Sequence, residues 1–189
     1  SYTLANIKDT TLYSNSNSNL AENGIFINGN NSAVLLGLNS NLSSTGANIA
    51  GIALNGAYSG GIPVTINGEI LNQEATNQGI MSFGDNSTGI YVVNGASAEN
   101  QGTITLGDNS VGIYGKGIGT GVSNISEINI GGNSVGLFLQ DGKGITNSGD
   151  IKSLGEKTVG IYFENINSSL VSNLGNIILT GDKSVGIYA

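Results

Sequence analysis

Cysteine, histidine, tryptophan and arginine are all missing from this chain of 189 residues, and proline and methionine occur once each. Without cysteine there is no disulfide and no thiolate chemistry. Without histidine no Ser/His/Asp triad can form, and a zinc or iron site loses its commonest nitrogen and sulfur ligands. Charge is scarce as well: 10% of residues are charged, against roughly 25% in ordinary soluble domains. The six cations, all lysines, face 13 acids for a net charge of −7. Nucleic acid is excluded as a partner on that balance, because phosphate recognition needs clustered basic side chains. No apolar run of about 18 residues occurs, so no helix is expected to span a membrane. The opening Ser1-Tyr2-Thr3-Leu4-Ala5-Asn6 has neither the basic region nor the apolar core of a secretion signal. The chain therefore reads as one whose signal was removed, or as an internal segment.

Abundant residues tell the complementary story. There are 31 glycines and, counted along the chain, 27 asparagines. Both residue types enter the left-handed backbone region at low cost and so mark turns. Many turns together with 38% apolar residues predict many short strands rather than long helices.

A repeat organises these turns. The pentapeptide Ser87-Thr88-Gly89-Ile90-Tyr91 returns as Ser110-Val111-Gly112-Ile113-Tyr114 and as Ser134-Val135-Gly136-Leu137-Phe138. It returns again as Thr158-Val159-Gly160-Ile161-Tyr162 and as Ser184-Val185-Gly186-Ile187-Tyr188, with glycine spacings of 23, 24, 24 and 26. Ten or eleven residues ahead lies a second element, Asn100-Gln101-Gly102-Thr103-Ile104-Thr105-Leu106, repeated from Asn147 and Asn173 and more weakly from Asn77 and Asn124. Turns such as Gly84-Asp85-Asn86, Gly107-Asp108-Asn109 and Gly181-Asp182-Lys183 separate the two. Before residue 77 the pattern erodes. Asn23–Ile27 and Ser32–Leu36 read as one degenerate coil, Ala50-Gly51-Ile52-Ala53 as a remnant of another, and residues 37–65 as an irregular loop.

Alternation of apolar and polar residues in Thr103-Ile104-Thr105-Leu106 indicates a strand with one buried face. Val111 and Ile113 are expected to point inward around Gly112. Each coil thus reads as strand, tight turn, strand and a connector of variable length. Two such strands enclose no core, but stacking successive coils does so. The sequence predicts an all-β chain: a right-handed parallel β-helix, or β-solenoid, with coils of about 23–26 residues. It is expected as a single segment over 1–189, degenerate over 1–76 and regular over 77–189, with seven to eight coils about 4.8 Å apart. A propeller blade needs about 40 residues, and the Gly-Gly-x-Gly-x-Asp nonapeptide of calcium rolls is absent.

Stacking turns each recurring residue into a column. Tyr91, Tyr114, Phe138, Tyr162 and Tyr188 form an aromatic ladder on the outside, with a glycan-binding strip as the alternative. The neighbouring glycine is expected to mark a side chain missing from that outer face. Asn77, Asn100, Asn124, Asn147 and Asn173 are expected to form an internal amide ladder. Asp85, Asp108, Glu156 and Asp182 share one turn position that Gly132 interrupts, and read as turn chemistry rather than a metal or catalytic stripe. Gly115-Lys116-Gly117-Ile118-Gly119-Thr120-Gly121 lacks the spacing of a phosphate-binding loop and reads as a connector. No catalytic residue, metal site or cofactor is expected, and binding residues are left unassigned.

The unit Gly-Asp-Asn-Ser-Val-Gly-Ile-Tyr (residues 107–114), with Asn-x-Gly-x-Ile upstream, resembles the passenger domains of large type V autotransporters, fusobacterial outer-membrane adhesins most of all. The likeness is good over 77–189, weak over 20–36 and absent over 1–19. It implies a non-enzymatic rod displayed on the bacterial surface and carried by a C-terminal β-barrel outside this segment. It also implies that the segment is part of a longer passenger, acting in adhesion and virulence against a host-cell or bacterial surface protein or glycan. Contact candidates are the stretches near 37–65, 115–124 and 163–172. Two other readings stand beside it. One is a polysaccharide-processing β-helix hydrolase or lyase, which scattered acids and the lack of arginine disfavour. The other is a matrix-forming protein that associates through open coil ends.

Overall fold

Short strands carrying one buried apolar residue each cannot stand alone, and in this chain they stack. The computed structural model describes residues 4–7, 11–14, 22–60, 64–66, 69–166 and 170–189. Its first coil comprises β1 (Leu4–Ile7), β2 (Thr11–Ser14) and β3 (Glu22–Asn28), and its second β4 (Ala33–Leu36), β5 (Asn41–Ser44) and β6 (Ile49–Asn55). An antiparallel hairpin, β7 (Val64–Ile66) and β8 (Glu69–Leu71), follows. Coil three is β9 (Glu74–Asn77), β10 (Ile80–Phe83) and β11 (Thr88–Val93); coil four is β12 (Ser97–Asn100), β13 (Thr103–Leu106) and β14 (Val111–Lys116). Coil five is β15 (Gly121–Asn124), β16 (Glu127–Asn129) and β17 (Val135–Gln140). Coil six is β18 (Gly144–Asn147), β19 (Asp150–Ser153) and β20 (Val159–Glu164), and coil seven is β21 (Leu170–Asn173), β22 (Asn176–Leu179) and β23 (Val185–Tyr188). No helix occurs among the described residues.

Each coil contributes one strand to each of three seven-stranded sheets. Every ladder between coils is parallel, as in Ile104↔Ile128 and Ile113↔Leu137. The fold is a parallel β-solenoid with three faces. Face 1 begins with β1, face 2 with β2 and face 3 with β3. The expected solenoid is therefore present, but its coil has three strands where two were anticipated. The unforeseen strand is that of face 1, such as Ser97-Ala98-Glu99-Asn100. Its inward residues are Ala98 and Asn100, both buried. A small residue and an amide do not read as a hydrophobic strand, so the segment resembled a connector.

Three further expectations change. Residues 37–65 are not one irregular loop, because β5 and β6 lie inside that range and pair in register with β10 and β11. Their alternation was obscured by alanine and serine. Asn23–Ile27 and Ser32–Leu36 do not make up one coil: Ile25 lies on face 3, beside Ile52, with Ile52 beside Ile90, while Ala33–Leu36 is the face-1 strand that opens the next coil. The Gly115–Gly121 stretch is connector only in its middle four residues: Gly115 and Lys116 end β14, Gly121 opens β15, and 117–120 turn the corner.

The core is a set of stacked columns. Ile52, Ile90, Ile113, Leu137 and Ile161 descend face 3, and Met81, Ile104, Ile128 and Ile151 descend face 2, all fully buried. Burying one such side chain contributes about 1.5–3 kcal/mol. The glycine before each face-3 isoleucine points into this core, not to the outside as expected. A methyl group on Gly112 would lie 2.5 Å from the Gly136 carbonyl oxygen and 2.8 Å from Ile128 Cγ2. Glycine here lets face 3 approach face 2 closely. Two consecutive residues, Gly112 and Ile113, thus face inward, and Val111, Val135 and Val159 are left half-buried.

Candidate functional site

The regular columns define what is scaffold. Asn77, Asn100, Asn124, Asn147 and Asn173 form the expected amide ladder. Each Nδ2 donates to the next Oδ1 at 2.8, 2.8, 2.8 and 2.7 Å. Asn100, Asn124 and Asn147 also donate to the carbonyl two residues on, at 2.9–3.1 Å. The ladder ends at Leu36, which stands beside Asn77. A second polar column was not foreseen. The buried hydroxyls of Ser110 and Ser134 accept the backbone N–H groups of Ser87 and Ser110 from the coil before, at 3.0 and 2.9 Å. Its signal was the invariable serine or threonine that opens each pentapeptide.

The aromatic column is continuous over five coils. Tyr91 and Tyr114 stack at 5.2 Å, Tyr114 and Phe138 meet edge-on at 4.9 Å, Phe138 and Tyr162 at 4.7 Å, and Tyr162 and Tyr188 stack at 5.3 Å. Burial, with the neighbouring Tyr91 and the acids Glu164 and Asp141, raises the Tyr114 phenol above its ordinary value. The Tyr162 hydroxyl donates to Glu164 Oε2 at 3.1 Å, which raises its pKa too. Each ring's faces or edges are taken by its neighbours, so few ring faces are open for a sugar to stack on.

Two of the four turn acids, Asp85 and Asp108, serve backbone. Asp85 Oδ1 accepts the Asp108 N–H at 2.8 Å, and Asp108 Oδ1 accepts the Gly132 N–H at 2.7 Å. Asn86, Asn109, Asn133, Lys157 and Lys183 follow in the same corner with φ of 54–58°, the left-handed region that asparagine tolerates best. On face 2, Lys152 Nζ lies 2.8 Å from Glu127 Oε2 and 3.1 Å from Asp150 Oδ2. The Asn129 amide and then Lys152 hold Glu127 below the usual carboxylate range, and the Asn176 amide and then Lys152 do so for Asp150. Lys152 is raised in turn, chiefly by Glu127. Lys152 also lines an open groove of about 630 Å³ with Thr105, Asn129, Leu154 and Ile178. Among the described residues no three His, Cys, Asp or Glu side chains converge as a metal set.

Departures from the repeat concentrate at one corner, between face 3 and the next face 1. Eighteen residues (56–73) stand there after β6, where three (94–96) stand after β11. The insertion is anchored at both ends. Ala57 and Ser59 donate backbone N–H bonds to Asn30 Oδ1 and Asn31 Oδ1 at 2.9 and 3.0 Å. Gln73, buried with φ 56°, accepts the Ser32 N–H at 2.8 Å and donates to the Gly29 carbonyl at 3.0 Å. Between these anchors, Tyr58 is 44% and Ile70 63% exposed. The same corner carries Ile118, 91% exposed, flanked by Gly117 and Gly119 at φ 107° and 83°.

Of the three anticipated contact stretches, 37–65 keeps only 56–60 and 64–65 as insertion. The 115–124 stretch shrinks to 117–120. In 163–172, residues 165–166 form the corner and 167–169 lie outside the described residues. All three fall on one corner, which the linear sequence did not reveal. No protein-family model, curated protein or solved structure matches the chain. Fold and geometry together define the class as a parallel β-solenoid with one variable corner.

Proposed function

We propose that the chain is a non-enzymatic, adhesive rod segment of a bacterial surface-displayed passenger, which meets its partner through the variable corner. One observation carries this reading. Among the described residues two corners and three faces repeat with little change, while the third corner takes an eighteen-residue insertion with exposed Tyr58 and Ile70. Variation confined to loops on a rigid frame is the usual division between scaffold and recognition. The partner proposed is a host-cell or bacterial surface protein or glycan. Face 2 offers little support for a glycosidase: Glu127 and Asp150 share Lys152 and are both held ionised, whereas an acid catalyst needs its pKa raised.

Replacing residues 56–73 with Asn-Gly-Ala, the turn found at 94–96, tests the proposal. The expected result is unchanged β-sheet circular dichroism with loss of binding to cells in an adherence panel. Retained adherence by the folded variant, or release of reducing sugar from glycans by the wild type, would count against it.

A further inference from the structure

Face 3 of coils three to seven has a symmetry that the fold does not require. Its aromatic column reads Tyr91, Tyr114, Phe138, Tyr162, Tyr188, the same in both directions from Phe138. Ring geometry follows suit. The two outer contacts are stacked, with interplanar angles of 4° and 8°, and the two inner ones are edge-on at 90° and 84°. Beside the rings, Lys116 pairs with Gln140 and Gln140 with Glu164. Opposite charges thus flank Gln140 one coil away on either side. They are the only two charged side chains within the five strands of this face, which are therefore neutral together on a chain of net charge −7, with Asp141 just past β17 at the rim. On the other side of the rings runs a column of Thr88, Val111, Val135, Val159 and Val185, half-buried or exposed.

We infer that this face is a self-complementary surface that binds a second copy of the chain with the two rods antiparallel. A two-fold axis lying in the interface, along the strand direction at Phe138, produces the match. Tyr114 then meets Tyr162 of the partner subunit, and Phe138 meets its own equivalent. Lys116 faces Glu164 of the partner subunit, and Glu164 faces Lys116 of the partner subunit. An axis along the rod would instead lay the charged column over the valines and leave both charges unpaired. Isologous contacts of this kind close after two copies.

Size agrees with a weak dimer. Five coils about 4.8 Å apart and six residues of about 3.3 Å give roughly 480 Å² per copy, or about 1,000 Å² in total. That is at the low end of specific interfaces. The insertion of residues 56–73, which follows coil two, lies outside the five paired coils and stays clear, while residues 117–120 and 165–166 of the same corner border the interface beside Lys116 and Glu164. Charges at the interface rim set register and partner choice more than raw affinity.

Sedimentation of the 189-residue chain across the micromolar range tests this, with K116E, E164K and the double exchange K116E/E164K, each checked for an unchanged melting temperature. The wild type is expected to show a monomer–dimer equilibrium. Each single variant should weaken association tenfold or more, because like charges then face each other twice. The double exchange should restore it, as should an equimolar mixture of the two single variants. A wild type that stays monomeric would overturn the inference. So would association indifferent to the charge reversals, which would place the contact at the coil ends. Quenching of tyrosine fluorescence by cello- or chito-oligosaccharides in a monomer would assign the face to glycans instead.

Discussion

Asparagine does two opposite jobs in this chain, and the backbone decides which. Asn86, Asn109 and Asn133 turn corners at φ of 54–55°, whereas Asn100 and Asn124 sit inside strands with their amides in the core. An interior amide is tolerated only because both its ends are used. Asn124 Oδ1 accepts from Asn100, and its Nδ2 donates to Asn147 and to the Ser126 carbonyl. Each buried polar group left without a partner costs about 1–3 kcal/mol. Asn124→Ala is therefore expected to destabilise the chain by about 2–4 kcal/mol, measured by denaturant unfolding, because it orphans the groups on both sides. Asn124→Asp should be at least as harmful near neutral pH, since a carboxylate cannot donate. A loss below about 0.5 kcal/mol for Asn124→Ala would show that the ladder adds nothing to stability. The column was legible from spacing alone. That it lies in a strand was not, because asparagine by itself signals a turn.

At the scale of the element, face 3 shows how a glycine shapes a whole sheet. The Gly-Ile pair turns two successive residues inward, and the absent side chain brings β14 against face 2. Gly112→Ala would place a methyl group 2.5 Å from the Gly136 carbonyl oxygen. That atom is backbone and has little room to move. The expected cost is about 1–3 kcal/mol, the usual range for overpacking, read as a lower melting temperature. The same change at Gly60, where φ is 88° but no atom lies within 4 Å, separates crowding from backbone strain. If the two variants lose equal stability, crowding is not what selects glycine at 112. Recurrence made these glycines conspicuous in the sequence, but period-2 alternation assigned their direction wrongly. Alternation assumes a regular pleat, and the pleat is broken at this pair.

The whole molecule behaves as a one-dimensional stack, in which each coil is stabilised only by the coil on either side. Stability should then vary along the rod. Amide hydrogen exchange is expected to be slowest in β14 and β17, which have complete neighbours above and below. It should be fastest in β7 and β8, a two-strand hairpin outside the three sheets, since isolated hairpins are marginal in water. Uniform protection across all these strands would contradict the stacked description.

The period of 23–26 residues, the parallel stacking, the stacked rings and the amide ladder were all determined by the sequence. Each follows from one residue type recurring at one interval, and a recurring residue in a stacked fold must become a column. Three things were decided only in three dimensions. The face-1 strand of coils three to six carries inward one small or branched apolar residue (Ala75, Ala98, Val122, Ile145) and one asparagine, so its core role exists only beside neighbouring coils. The three degenerate stretches converge on one corner because coil geometry brings residues 56–60, 117–120 and 165–166 to one edge. The match between Lys116 and Glu164 about Gln140 depends on register. A one-residue slip between coils would move every one of these side chains to the other face of the sheet.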